Sequence, residues 1–157
     1  MPISTGRNGF LDGYLPYLLR KADQTLSAPF YEVLNEAGVA RSEWRVIAVL
    51  AELGDMRVAD LAAAALSPQP TVTHALRRLE DRGMVTRTVG RDRRERLVAL
   101  TAAGEDLTVS LVAEATRLET EALLGAGVAR SEGMADLVVR LRELTDSLEA
   151  RLIEEPA

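Results

Sequence analysis

The chain has 157 residues and a formal net charge of −5, and it is 47% hydrophobic and 27% charged, which is typical of a globular protein and excludes a disordered one. It contains no cysteine, so disulfide scaffolds, thiolate metal sites, cysteine nucleophiles and thiol-oxidation switches are excluded. The N-terminus lacks an apolar segment of signal-peptide length, and no run of about 18 apolar residues occurs, so the sequence predicts a cytoplasmic protein without a membrane span.

Apolar residues at three- and four-residue spacing follow a polar tail over residues 1–9 that we expect to be flexible. The spacing predicts a long amphipathic helix from Phe10 to about Gly38. Pro16 fits the first turn of its regular part. Pro29 would lose a backbone hydrogen bond and clash with the carbonyl one turn earlier, so we expect a kink there. The path of this helix around its two prolines stays open.

The pattern of apolar residues in the middle of the chain predicts a helix, a short strand and two further helices. The first helix covers Arg41–Leu53, and Met56–Val58 is short enough to be a small strand. An alanine-rich helix over Ala59–Leu66 is broken by the two prolines of Ser67–Pro70, because a proline disfavours helix in the residue before it. The next helix covers Thr71–Arg82, with an apolar side formed by Val72, Ala75, Leu76 and Leu79.

Two strands and two long helices complete the chain. Gly83 is the expected left-handed stop, and strands over Met84–Val89 and Arg96–Leu100 flank a polar loop. Thr101 can cap a helix from Ala102 to about Leu124, and a last helix with a near-heptad stripe of leucines covers about Ser131–Ile153. The string GVARSE occurs at residues 38–43 and 127–132, each time before a helix start, which shared capping chemistry explains better than a true repeat.

The positive charge of this acidic chain is concentrated in one short window. Between Arg77 and Arg96 there are eight arginines and four acids, so the window carries +4 and the rest of the chain −9. Such a footprint favours a polyanionic partner. A charged hairpin that merely faces solvent would have the same composition, so charge alone leaves both interpretations open.

A helix, a tight break and a second helix with an outward polar face predict a helix-turn-helix, whose second helix lies in the major groove of DNA. The candidate contacts on this helix are Gln69, Pro70, Thr71, Thr73, His74, Arg77 and Arg78. Glutamine can pair with adenine and arginine with guanine, whereas Thr71 and Arg78 can equally hold phosphates. His74 is the single histidine of a chain without cysteine, so a metal or catalytic role is poorly supported, and an exposed position without a role is the alternative.

The loop between the strands is too polar to be buried, and its cationic candidates are Arg91, Arg93 and Arg94. An arginine at such a tip can enter the minor groove, where narrow A·T tracts deepen the negative potential. We expect Arg94 to be the inserted side chain. Asp92 would repel phosphate, so its useful role is to brace a neighbouring arginine by a salt bridge.

Several segments resemble the MarR family of bacterial regulators. Asp92–Thr101 followed by Gly104 is similar to the family's wing signature, in which Asp-x-Arg precedes an apolar strand that ends in Leu-Thr. Thr73–Val85 resembles the family's recognition helix and its exit. Leu18–Ala22 and Glu43–Ile47 also fit the family pattern.

The resemblance covers about residues 11–153 and implies a homodimer with intertwined terminal helices, two winged lobes, a palindromic operator and a wing in which Asp92 braces Arg94. Family members often bind small aromatic or phenolic compounds in a cleft between the dimer helices and the DNA lobe. The residues that could line such a cleft are Tyr14, Tyr17, Arg20, Trp44 and Arg45. Packing of the tryptophan and the tyrosines in the core is the alternative.

The predicted fold is therefore mainly α, with a winged helix-turn-helix lobe over residues 39–101 and a helical dimerisation region over residues 10–38 and 102–157. The terminal helices carry more leucine than a chain of this size can bury once the lobe has its own core, so a partner chain is expected to cover them. The dimer-interface candidates are Leu11, Leu15, Leu18, Leu137, Leu141, Leu144, Leu148 and Leu152.

These observations favour a dimeric, ligand-responsive transcriptional repressor that binds double-stranded DNA and a small aromatic or phenolic effector, with no cofactor and no metal. A constitutive or architectural DNA-binding protein of the same fold is the first alternative. A helical adaptor whose basic hairpin contacts an acidic protein is the second. An enzyme has the least support, because the sequence shows no paired carboxylates, nucleophile with a base or phosphate-binding loop.

Overall fold

A computed structural model describes residues 9–92, 96–128 and 132–154. The described chain is mainly α, which confirms the predicted fold class, and its elements are α1 (Phe10–Gly13), α2 (Leu15–Glu36), α3 (Arg41–Leu53), α4 (Val58–Ala64), α5 (Gln69–Asp81), β1 (Val85–Val89), β2 (Arg96–Leu100), α6 (Ala102–Gly125) and α7 (Glu132–Glu154). The chain divides into two compact units, Met1–Thr116 and Arg117–Ala157. No helix in the described ranges is long and apolar enough to cross a membrane.

The predicted N-terminal helix is wrong in one respect, because it forms two helices instead of one. Tyr14 separates α1 from α2 with an extended backbone, at φ −85° and ψ 103°. Pro16 explains the break, since in a continuous helix its ring would clash with the carbonyl of Asp12 and no N–H would be available to bond it. Pro16 lies instead in the first turn of α2, and α2 continues through Pro29 to Glu36.

The core of the first unit is formed by α3, α4, α5 and the sheet. The predicted apolar side of α5 is confirmed, because Val72, Ala75, Leu76 and Leu79 are all buried. The buried residues of the other core elements include Val46, Ile47, Leu50, Leu61, Val85 and Val98. Burying a valine, leucine or isoleucine side chain stabilises the fold by roughly 1.5–3 kcal/mol, so the packing of its apolar side fixes the position of α5.

The strands β1 and β2 pair antiparallel from Val85 opposite Leu100 to Val89 opposite Arg96. The predicted small strand over residues 56–58 is reduced to a single bridge between Met56 and Val98. It cannot extend further because Arg57 already caps α4 and Val58 is its first residue. The bridge joins the segment before α4 to the wing strand β2.

The junction between β2 and α6 is short and tightly bonded. Thr101 caps α6 as predicted, since its Oγ1 accepts a hydrogen bond from the Gly104 N–H at 3.1 Å and donates one to the Gly83 carbonyl at 2.6 Å. Gly83 has the predicted left-handed conformation, with φ 71°. Gly104 packs so closely on the backbone of Met84 that a Cβ at this position would overlap the Met84 carbonyl oxygen.

Candidate nucleic-acid interface

The turn between α4 and α5 presents the start of α5 to solvent. After Ala64 the backbone turns through Leu66, which has the left-handed φ of 50°, and the Ser67 N–H donates to the Ala62 carbonyl at 3.1 Å. Pro68 is the N-cap of α5 and Pro70 lies in its first turn. Proline is suited to this position because the first turn of a helix has no intrahelical partner for its N–H groups.

The outward face of α5 carries the predicted contact residues. Gln69, Pro70, Thr71, His74, Arg77 and Arg78 are exposed, and Thr73 is half-buried. The apolar residues at three- and four-residue spacing are all turned inward, so the polar side chains of the first two turns share the solvent side. This arrangement can present hydrogen-bond donors and acceptors to the base edges of a groove.

Three arginines of the basic window are paired within the molecule. Arg78 Nε lies 2.8 Å from Glu43 Oε1, and Arg82 Nη1 lies 3.6 Å from Glu43 Oε2. Arg87 forms a fork with Glu80, with its Nε at 2.9 Å from one carboxylate oxygen and its Nη2 at 3.4 Å from the other. This second pair joins strand β1 of the wing to α5. The charge count of the window therefore overstates the charge available to a partner.

Glu43 is the functional candidate that the sequence analysis missed. Its side chain is completely buried, and its Oε2 accepts a hydrogen bond from the Ala40 N–H at 2.8 Å. This bond confirms the predicted capping chemistry for the first GVARSE string. The spacing from Ala40 to Glu43 indicates a cap, but a capping glutamate is ordinarily exposed, and its burial against two arginines needs the tertiary structure.

Other cations of the window are available to a ligand. In the part of the chain that the structure describes, Arg77, Arg91 and Arg96 are exposed and have no acidic partner. Asp92 is also exposed, three residues after the end of β1. Arg93 and Arg94 lie outside the described residues, so the predicted brace between Asp92 and Arg94 stays a prediction.

A cleft of about 460 Å³ lies where α2, α3 and the end of α4 meet. Its lining residues are Asp23, Trp44, Arg45, Ala48, Val49, Ala64, Ala65 and Leu66. Trp44 contacts Phe30 edge to face, with 4.9 Å between the ring centroids. The cleft thus combines an aromatic ring, a cation and a carboxylate with small apolar side chains.

The structure brings two of the five predicted effector contacts, Trp44 and Arg45, to this cleft. The other three lie elsewhere on the chain. Tyr14 stacks on Phe10 at 4.7 Å beside α1, while Tyr17 and Arg20 are exposed on α2.

The predicted dimer-interface leucines are largely uncovered in one chain. Leu11, Leu15 and Leu18 are exposed on α1 and α2. On α7, Leu137, Leu144 and Leu148 are exposed and Leu141 is half-buried, and the side chain of Leu152 lies outside the described residues. The unit Met1–Thr116 therefore has exposed apolar residues on α1 and α2, and the unit Arg117–Ala157 has them on α7.

Comparison with known proteins agrees with this geometry. The family model described as the MarR family matches residues 37–95. The transcriptional regulator FarR of Neisseria gonorrhoeae is 31% identical over 131 residues, which is 83% of this chain and 90% of FarR.

Two solved structures are similar over most of the chain. The MarR family regulator SPO1453 of Silicibacter pomeroyi DSS-3 is 33% identical with a TM-score of 0.75, over 90% of this chain and 99% of that one. NadR, solved in complex with 4-hydroxyphenylacetate, is 30% identical with a TM-score of 0.73, over 86% of this chain and 99% of NadR. These relatives are regulators and not enzymes. The fold, the exposed face of α5 and these similarities together show that the chain belongs to the MarR family of DNA-binding transcriptional regulators.

Proposed function

We propose that the protein is a dimeric, ligand-responsive repressor that binds a palindromic operator with α5 in the major groove and the wing in the minor groove. The observation that carries this proposal is the outward face of α5, where Gln69, Thr71, His74 and Arg77 are exposed above a fully buried apolar side. Because its buried side fixes α5 in the lobe, the exposed side chains can reach base edges without a large entropic cost of ordering the helix on binding.

The residues on this face divide into those suited to reading bases and those suited to holding the backbone. The amide of Gln69 matches the paired donor and acceptor of adenine, and the guanidinium of Arg77 matches guanine. Arg77 has no acidic partner in the described structure, so its full set of donors is available. Thr71 at the helix start and Arg91 at the wing are suited to phosphate. Arg93 and Arg94 complete the proposed wing contact.

The proposed dimer provides the second half of the operator contact. The exposed leucines on α1, α2 and α7 form apolar faces that a second chain can cover, which removes them from water. A two-fold axis would then present two copies of α5 about 34 Å apart, one turn of B-DNA. Occupation of a palindromic site by such a dimer would exclude other proteins from the promoter.

The proposed effector site is the cleft that contains Trp44 and Arg45. An aromatic acid could stack on the indole ring of Trp44 while its carboxylate pairs with Arg45. NadR was solved with 4-hydroxyphenylacetate bound, a compound of this chemistry. Leu66 lines the same cleft in the turn that leads to α5, so an occupant would contact the segment that positions the recognition helix.

The DNA-binding proposal is tested by selecting duplex fragments from the source genome and measuring affinity at several salt concentrations. We expect affinity to fall steeply with salt, because bound arginines release counterions from phosphate. Arg77→Ala should lower affinity for the selected duplex by about 10-fold or more, with a much smaller effect on a shuffled duplex. Arg140→Ala on α7 is the matched control and should change neither value. A uniform loss on both duplexes would assign Arg77 to phosphate.

The effector proposal is tested with 4-hydroxyphenylacetate as the probe. Trp44 is the only tryptophan in the chain, so its fluorescence reports directly on occupation of the cleft. We expect the compound to change this fluorescence, raise the melting temperature and weaken binding to the selected duplex. If a panel of aromatic acids does none of these, a constitutive DNA-binding protein is the better description.

A further inference from the structure

The buried carboxylate of Glu43 connects three segments of the winged lobe. Glu43 lies in the first turn of α3. Its carboxylate accepts a hydrogen bond from the Ala40 N–H before that helix and forms ion pairs with Arg78 and Arg82 at the C-terminal end of α5. Arg82 extends the connection, because its Nη1 also donates to the Gly38 carbonyl at 2.8 Å. The end of the recognition helix is thereby tied to the loop between α2 and α3.

A buried carboxylate is costly unless charged or hydrogen-bonded partners surround it. The Arg78 contact is an ion pair without hydrogen-bond geometry, so Oε1 has charge compensation but no directed donor among the described residues. Oε1 therefore depends on the guanidinium of Arg78 remaining in place. Because Glu43 is buried, losing its ion pair with Arg78 would cost more free energy than losing a pair between two exposed side chains.

The same contact limits what Arg78 can do. Its side chain is 52% exposed and adjoins the outward face of α5, while its Nε lies 2.8 Å from the buried Glu43 Oε1. A released Arg78 would be a flexible cation beside the DNA-facing surface, able to bind any phosphate within reach. Phosphate contacts of this kind add affinity without adding sequence selectivity.

We propose that Glu43 is a positioning residue for operator recognition: through Arg78 and Arg82 it fixes the C-terminal half of α5 and keeps Arg78 from binding phosphate indiscriminately. This inference rests on the proposed function, since it assigns the source of selectivity at the same DNA-binding surface. Glu43 itself contacts no DNA in this scheme. Its effect is on the ratio between specific and nonspecific affinity.

The test compares Glu43→Gln with the wild-type protein on the duplex that the wild type selects and on a shuffled duplex of equal length. Glutamine keeps the acceptor for the Ala40 N–H but removes the negative charge. We expect affinity for the selected duplex to fall about 10-fold, while affinity for the shuffled duplex stays equal or rises a few-fold. Adding Arg78→Gln should return shuffled-duplex affinity to the wild-type value without restoring the specific affinity.

A structural control separates positioning from simple loss of stability. Val46 is buried on the same helix and its side chain is apolar. Val46→Ala should therefore lower the melting temperature without removing a charge that Arg78 or Arg82 contacts. At a temperature where both variants are folded, Val46→Ala should keep the wild-type ratio and Glu43→Gln should not. Equal ratios in the two variants would overturn the proposal.

Arg78→Lys keeps the test decisive if Glu43→Gln does not fold. Lysine retains the charge but cannot present Nε to Glu43, so the ratio should fall a few-fold, and an unchanged ratio would contradict the proposal. A wild-type protein that binds no duplex at low salt would contradict the DNA-binding function itself. Wild-type binding with an unchanged ratio in Glu43→Gln would contradict only the role of Glu43.

Discussion

The core of the winged lobe and the C-terminal helix use leucine in opposite ways. In the lobe, Leu61, Leu76 and Leu79 are completely buried. On α7, Leu144 is 39% exposed and Leu148 is 50% exposed, and no described side chain of that helix is fully buried. The core of the lobe is therefore covered by its own chain, whereas α7 needs a second surface to cover its leucines.

The two regions should respond differently to substitution. Changes inside the lobe should alter the free energy of unfolding, because its contacts are intramolecular and closely packed. Changes on α7 should alter the association of two chains, because none of its described apolar side chains is fully buried. Three pairs of substitutions distinguish these two regions.

Leu144→Glu should convert the proposed dimer into a monomer at micromolar concentration. The change places a carboxylate in the proposed interface twice per dimer, with an expected loss of roughly 4 kcal/mol in association free energy. Sedimentation equilibrium measures this loss. Leu53→Glu is the control, since Leu53 is 62% exposed at the end of α3 in the lobe, and its substitution should leave the dimer intact. A dimeric Leu144→Glu would contradict the assignment of α7 to the interface.

Gly104→Ala should lower the free energy of unfolding by about 3 kcal/mol, because the added Cβ overlaps the backbone of Met84 and neither segment can move without disturbing the core. Gly125→Ala is the matched control at the other end of α6. A Cβ there meets no atom within 4 Å, so alanine should be neutral or stabilising by up to about 1 kcal/mol. Thermal unfolding measures the stability of both variants. Equal effects would contradict the close packing of Gly104 on Met84.

Thr101→Val should cost about 1–2 kcal/mol in unfolding free energy, since it keeps the side-chain shape but removes the bonds to the Gly104 N–H and the Gly83 carbonyl. Thr145→Val on α7 removes a hydroxyl that only donates to carbonyls of its own helix, so it should change stability by less than about 0.5 kcal/mol. Chemical denaturation resolves the two values. A larger loss from Thr145→Val would break the division between lobe and α7.

Much of the lobe could be predicted because its elements carry local signals. The helix Arg41–Leu53 and the strand Arg96–Leu100 have their predicted bounds, since a glycine follows the helix and a capping threonine follows the strand. The buried side of α5 also followed from its periodicity. The break at Tyr14 was missed because apolar spacing continues across it, and only the clash at Pro16 separates the helices.

The candidate site was less predictable from sequence for a different reason. Counting charges between Arg77 and Arg96 treats every arginine as available, but Arg78, Arg82 and Arg87 are paired with acids of the same chain. One of these acids, Glu43, is distant in sequence and outside the window. No periodic or compositional signal connects residues in this way, because the contact depends on how α3 packs against α5.

A single residue, Thr101, separates the last residue of the wing from the first residue of α6, which leaves the two without slack. The Thr101 N–H donates to the Met84 carbonyl at 3.0 Å, so the linking residue is itself bonded to the residue before β1. The first turn of α6 and the hairpin would therefore have to rotate together as a rigid body. The direction of the first turn of α6 is thus fixed relative to the hairpin.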